Sequence, residues 1–357
     1  MSVNSLKNSI MTQAKTQFDQ YHFNQKLLLE RLEKSGYSIT TFDDTQIALV
    51  EKKLKKTVKK TVKETQSKKL SSPKEIIFDI HSSANSYAAS WICSDKFLTK
   101  KWLLSQGLPV VKGAIFQAKF KQKALSYARS LGLPVVLKPV SASHGDYVYA
   151  NITSLQELSD KIDILTREYT GEYGYFLVEK HFPGEEFRIF VTSKGFFAAV
   201  HRQPAQVIGD GKHSLLQLIQ ISNYQRMNPR TNALCEIKMD DVFFNYLDKH
   251  NVSIETVPAK GEVVTLRDTS NVSKGGDCID VTDTMHASIK KLAFSVLEAF
   301  PGMQYLGIDL LCADHTKKLK QGSHVICEVN PNPGLSLHTH PGQGKARDVV
   351  GALLELQ

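Results

Sequence analysis

The stretch from Tyr305 to His340 constrains this chain more than any other. It reads as two short strands joined by a polar turn. The first is Gly307-Ile308-Asp309-Leu310-Leu311, and the second is Val325-Ile326-Cys327-Glu328-Val329-Asn330, stopped by Pro331 and Pro333. Side chains alternate faces along a strand, so Glu328 and Asn330 point the same way, and pairing of the two strands lets Asp309 join them. Ile326 and Val329 do not fit that alternation. Two carboxylates and one amide oxygen make a hard, all-oxygen set, which suits Mg²⁺ completed by phosphate and water. The same set is a poor zinc site, because no His or Cys belongs to it. Either strand alone reads more readily as a solvent-facing hairpin whose Asp and Glu stay wet. An Asp inside an apolar strand, followed by Glu-Val-Asn-Pro-Asn-Pro-Gly closing the next, is hard to explain as solubility.

At 357 residues the chain can bury a sizeable core in two or three subdomains. No apolar run is long enough to span a bilayer, and Met1–Met11 lacks a signal core, so a cytoplasmic protein is expected. The five cysteines (Cys93, Cys235, Cys278, Cys312 and Cys327) are odd in number and form no CxxC pair, which fits reduced thiols. The formal charge of +9 is concentrated: Glu51–Lys69 carries +7 and the remainder +2. No aromatic residue interleaves that lysine run, so it reads as a solvated loop or helix face rather than a nucleic-acid surface.

Ala14–Ser35 has helical spacing, with Gly36 as a stop, and Ile39, Ile47–Val50 and Ile76–Ile80 read as strands. Ser94-Asp95-Lys96 opens a helix that ends at Gly107, and Ala118–Ser130 is another, ended by Gly132. Lys138 lies in the apolar strand Pro134–Val140, where a lysine is costly without a neutralising partner. The small residues Ser141–Asp146 follow, and they allow backbone N–H groups to approach phosphate oxygens. Ser154–Arg167 is helical, Tyr175–Arg188 leaves a strand through Glu179–Phe182, and a hairpin turns at Lys194-Gly195. Helices at Leu215–Tyr224 and Asp241–His250 form an insertion. Val263–Gly276 is a strand running into a Gly-rich loop, and Asp283–Phe300 is a long amphipathic helix. His338 and His340 read as loop histidines near a substrate. There is no GxxxxGK[ST] and no Ser-His or Cys-His nucleophile motif.

Taken in this order, from residue 90 to residue 350, these parts resemble the ATP-grasp ligases. The likeness is strongest to the ATP-grasp portions of cyanophycin synthetase and of the bifunctional glutathione synthetases. The string Arg202-x-Pro204-Ala205-x-Val207-x-Gly209-Asp210-Gly211 is nearly a signature of that group. The resemblance implies an α/β (α+β) chain with a small pre-ATP-grasp-like α/β domain at 1–93, bearing the Lys-rich segment 51–69, and an ATP-grasp domain at 94–357. Within the latter, a flap subdomain at 110–180 and a catalytic subdomain at 181–357 are expected.

It also implies roles for particular residues. Lys96 (Lys100 less so) and Lys138 would reach nucleotide phosphates, beneath a flap formed by Ser141, Ser143, His144 and Gly145. Glu179, Lys180 and Phe182 would form the adenine hinge, with Glu186 on the ribose. Arg202 and Arg267 would hold the acyl phosphate, over a floor shaped by Asn271 and Gly276. Asp309, Glu328 and Asn330 would hold two Mg²⁺ ions on ATP, with Mn²⁺ as a substitute. Asp146 departs from the group, which usually has a second glycine there.

The implied activity is an ADP-forming carboxylate–amine ligase that makes a peptide bond through an acyl phosphate. Its partners would be small molecules, amino acids or short peptides. Neither membrane nor nucleic acid is expected, and a homo-oligomer is left open. Neither the further ligase module of cyanophycin synthetase nor the glutamate–cysteine ligase module of the bifunctional enzymes is seen, so a stand-alone dipeptide or tripeptide ligase is expected. The other readings are an ATP-binding regulator without turnover and a nucleic-acid-binding protein using Lys52–Lys69.

Overall fold

The computed structural model describes residues 17–18, 21–42, 45–52, 74–140, 147–169, 174–226 and 234–356. The chain divides into two compact units, Met1–Ser83 and Ala84–Gln357. In the first, helix α1 (Phe23–Lys34) covers an antiparallel sheet of β1 (Tyr37–Thr41), β2 (Ile47–Lys52) and β3 (Lys74–Phe78), in that order. Leu28, Leu29 and Leu32 recur at helical spacing and are buried, as are Ala48, Val50 and Ile77 on one face of the strands. The lysine run from Lys53 to Lys69 lies outside the described residues.

The second unit begins with α2 (Tyr87–Ser94) and α3 (Lys96–Ser105). The sequence reading puts α2 in the first domain; here it packs within the second unit's core through Ala89 and Cys93. Asp95 ends one helix and starts the next: its carboxylate accepts hydrogen bonds from Phe97 N and Leu98 N, each at 2.8 Å, and so caps α3. There follow β4 (Gly113–Gln117), α4 (Lys121–Leu131), β5 (Val135–Pro139), β6 (Tyr149–Ile152), α5 (Leu155–Glu168) and β7 (Tyr175–Lys180). These form a four-stranded antiparallel sheet, order β4-β7-β5-β6, whose apolar face packs on α4 and α5. Ser154 and Glu157 start α5 reciprocally: Ser154 Oγ accepts from Glu157 N, and the Glu157 carboxylate accepts from Thr153 N, both at 3.0 Å.

Next come β8 (Glu185–Thr192), β9 (Phe197–Gln203), β10 (Gln206–Ile208), α6 (Leu215–Arg226), α7 (Asp241–Lys249), β11 (Val263–Thr265) and β12 (Asp277–Asp280). The chain closes with α8 (Ala287–Glu298), β13 (Tyr305–Cys312), β14 (His324–Asn330), α9 (Ser336–Thr339) and α10 (Val349–Leu354). Strands β12-β9-β8-β13-β14 make a five-stranded antiparallel sheet. The ribbon β10-β11 builds a satellite core with α6 and α7, around Ile219, Phe243, Leu247 and Leu266. Among the described residues, no helix is long and apolar enough to cross a membrane.

The two faces of the five-stranded sheet differ in kind. Phe187, Ile189, Ile308, Leu310, Ile326 and Val329 point into a core shared with α2, α3 and α8. Each such fully buried side chain contributes about 1.5–3 kcal/mol. The intervening residues form the opposite, charged face. Pairing runs Ile308 with Val329 and Asp309 with Glu328, then skips to Leu310 with Ile326. Cys327 is the extra residue of a β-bulge, and this returns Ile326 to the core face although Glu328, two residues on, faces the other way. The irregular spacing of Ile326 and Val329 has its cause here.

Candidate active site

Strand register assembles the charged face. Asp309 of β13 lies directly opposite Glu328 of β14 on one side and Arg188 of β8 on the other, while Glu186 of β8 lies opposite Arg202 of β9. Asn330 faces the same way, opposite Gly307. A Cβ at residue 307 would come within 2.7 Å of the Pro333 ring, so only glycine lets the Pro331–Pro333 turn fold over the strand.

Asp309 is 4% exposed and held by two guanidinium groups. Arg188 grips it with two nitrogens, Nε on Oδ1 and Nη2 on Oδ2 at 3.1 Å. Arg202 Nη1 reaches the same Oδ2 at 3.3 Å, and its Nη2 reaches Glu186 Oε1 at 3.2 Å. Burial alone would raise the Asp309 pKa; the two arginines outweigh it and hold the carboxylate below its usual range. Glu186 also accepts a short hydrogen bond from Ser270 Oγ. At the sheet edge, Lys96 Nζ lies 3.1 Å from Glu328 Oε1.

A second cluster centres on Glu179 at the end of β7. This carboxylate is buried between Lys100 of α3, in close contact with it, and Lys138 of β5 at 2.9 Å. Burial, and then the neighbouring Lys138, push the Lys100 pKa well below the ordinary lysine range. The strand then leaves the sheet through Lys180 and His181, whose N–H groups bond to Lys112 O at 2.8 Å and Pro134 O at 3.1 Å. Lys180 Nζ is turned outward to Gly132 O at 2.8 Å, and Phe182 is partly buried beside Gly184.

Eight of the expected site residues therefore gather in these two clusters: Asp309, Glu328, Asn330, Arg202, Glu186, Lys96, Glu179 and Lys138. Ser141, Ser143, His144 and Gly145 lie outside the described residues. Arg267 does not join the Asp309 cluster. It is buried, donates to Lys238 O and lies 2.7 Å from Asp240, so it fastens its loop to the capping residue of α7. Asn271 and Gly276 hold the backbone of their loop: Asn271 Oδ1 accepts from Ser273 N at 3.2 Å, and Gly276 O accepts from Arg226 Nη1 at 3.4 Å. Arg188 is an addition. Its alternation with Glu186 along β8 is the signal that could have found it. Lys100, ranked below Lys96 in the sequence, is the one that shares Glu179 with Lys138. Cys327 projects near Lys138, Glu186, Lys100 and Asp309, and burial pushes its thiol up to about 12.

The donor chemistry fits a magnesium nucleotide. Asp309, Glu328 and Asn330 offer hard oxygens from adjacent strands, and among the described residues the buried Nδ2 of Asn330 has no hydrogen-bond partner. Every carboxylate of the set is neutralised by a protein cation that could instead hold phosphate.

Two antiparallel sheets with this pattern of carboxylates and cations define the ATP-grasp fold, and the chain is placed among the ATP-grasp proteins. Over 267 residues it is 34% identical to cyanophycin synthetase of Crocosphaera subtropica, covering 74% of this chain and 30% of that protein. Over 281 residues it is 32% identical to the glutathione biosynthesis bifunctional protein GshAB of Enterococcus faecalis, covering 77% and 36%. The crystal structure of a bifunctional glutathione synthetase from Pasteurella multocida matches 95% of this chain and 44% of that one, with a TM-score of 0.64 at 27% identity. The chain thus spans about a third of the length of the curated relatives it matches. No protein-family model matches it.

Proposed function

We propose that this chain is an ATP-dependent, ADP-forming carboxylate–amine ligase acting on amino acids or short peptides. The observation that carries the reading is the direct opposition of Asp309 and Glu328 across two strands, with Asn330 on the same face and protein cations on both carboxylates. The names of the relatives, synthetases of cyanophycin and glutathione, support the substrate class.

A carboxylate is a poor acyl donor, because it is anionic and has no good leaving group. Transfer of the ATP γ-phosphoryl to one carboxylate oxygen breaks the bond to ADP and creates an acyl phosphate. The amine nitrogen then attacks the carbonyl carbon; a C–N bond forms, the bond to the phosphate oxygen breaks, and the nitrogen loses a proton. In this mechanism Lys96, Lys100 and Lys138 exchange their carboxylates for phosphate oxygens, and Arg202 holds the charge that develops on the transferred group. The small residues Ser141, Ser143, His144 and Gly145 offer backbone N–H groups to the phosphates. Glu179–Phe182 provides the adenine edge and Glu186 the ribose contact, while Arg267, Asn271 and Gly276 fix the loop beneath the acceptor. Magnesium ions held by Asp309, Glu328 and Asn330 would supply charge neutralisation to the phosphates. A free α-amine has a pKa near 8, so roughly one in ten is neutral at pH 7 and ready to attack.

The test is a screen of paired amino acids for phosphate release from Mg-ATP, read out by product mass. The expected product has the mass of two substrates less water, and Glu328→Ala gives none while remaining folded. Phosphate release that no amino acid or peptide stimulates would overturn the ligase reading.

A further inference from the structure

His338 is fully buried, and among the described residues neither of its ring nitrogens has a hydrogen-bond partner. Its backbone is fastened on both sides: its N–H donates to Leu335 O at 3.1 Å and its carbonyl accepts from Arg347 N at 2.8 Å. The ring lies 6.1 Å from that of Phe190, which shares its strand face with Arg188. The charges that reach it are those of Arg188 and Asp280, and Asp280 is itself gripped by Arg347. Burial, with Arg188 next, pushes its pKa down to about 3, so the imidazole is neutral. A neutral imidazole still carries one N–H and one lone pair. Leaving such groups unanswered in a core costs stability, which an apolar ring of similar shape would avoid.

Arg188 explains why a histidine could be kept there. Two of its nitrogens are engaged with Asp309, one of the oxygens assigned above to the metal. When Asp309 turns its lone pairs to a divalent cation, Arg188 donors are released inside a buried site, where an unanswered guanidinium N–H is costly. We propose that His338 is a positioning residue for Arg188, the neutral acceptor that receives its guanidinium when Asp309 is engaged by magnesium nucleotide. The imidazole lacks a partner in one state because it is needed in the other. This inference rests on the ATP reading of the site.

The experiment uses the full chain labelled with ¹⁵N-histidine, titrated with magnesium and a non-hydrolysable ATP analogue. His338 ring signals are assigned by their loss in His338→Phe or, should that variant not fold, in His338→Asn. The unprotonated His338 nitrogen is expected to shift upfield, as an acceptor does, when both ligands are present, and to stay put with the analogue and EDTA. An unmoved signal while calorimetry registers binding overturns the inference and leaves the ATP reading standing; no binding to the wild-type chain overturns both. The variants add a readout that a packing role would not give. His338→Phe should be as stable as wild type or more so without ligand, yet bind the magnesium analogue about tenfold more weakly, and His338→Asn should recover most of that loss. Wild-type affinity in His338→Phe would also overturn the proposal.

Discussion

The site holds two buried carboxylates, each between two cations, but the cations differ. Asp309 is clasped by Arg188 and Arg202, Glu179 by Lys100 and Lys138. An arginine cannot shed its proton in a protein, and its planar fork fixes direction; a lysine is a mobile point charge that can neutralise when its partner leaves. The arginine cluster is therefore suited to orient, and the lysine cluster to yield. The depressed pKa of Lys100 is the sign of that freedom.

Charge removal breaks this comparison most sharply. Asp309→Asn leaves two guanidinium groups facing a neutral amide, with no protonation state to retreat to, and should cost about 3–5 kcal/mol of stability along with turnover. Glu179→Gln should cost less, about 1–2 kcal/mol, because Lys100 can release its proton. Urea unfolding midpoints of the two variants give the ranking, and equal losses would dissolve the distinction.

Of intermediate size is the effect of Lys100→Met on nucleotide binding, expected to weaken Mg-nucleotide affinity by about 10- to 100-fold, as for loss of a charge-assisted contact. Lys96→Met, at the partly exposed sheet edge, should weaken it by less than about tenfold. Isothermal titration of both variants decides which lysine serves the phosphates.

A further expected effect concerns pH. His338 has a folded pKa of about 3 against an ordinary value of 6.5, so the unfolded chain binds its proton first, and stability falls as pH drops from 6.5 towards 3. Between pH 7 and pH 5 this amounts to about 2 kcal/mol. Denaturant melts should therefore show His338→Phe gaining on wild type by that amount over the same interval.

Much of the site was legible because strand alternation is a local rule. Asp309, Glu328 and Asn330 could be grouped from spacing and the proline stop alone, and Lys138 betrayed itself as a charge in an apolar strand. Lys96 and Lys100, one helical turn apart, share a face, and nothing local says which is buried. Arg267 pairs with Asp240, which lies in the insertion and reaches it only through the packing of α7, so no local pattern announces the pair. Arg188 was passed over although the rule that grouped the carboxylates applies equally to Glu186 and Arg188. The contact of Ser270 with Glu186 spans 84 positions, beyond any window of pattern.

The bulge at Cys327 carries a last consequence. Since Leu310 pairs with Ile326 and Asp309 with Glu328, excising Cys327 would join two correctly paired halves without turning either inside out. Here the chain has a spare link that it could lose and keep its reading frame of inside and outside. What that link adds is bend, and hence the angle at which Glu328 meets Asp309. One residue at this point therefore sets the aim of an oxygen donor without deciding which side chains face inward.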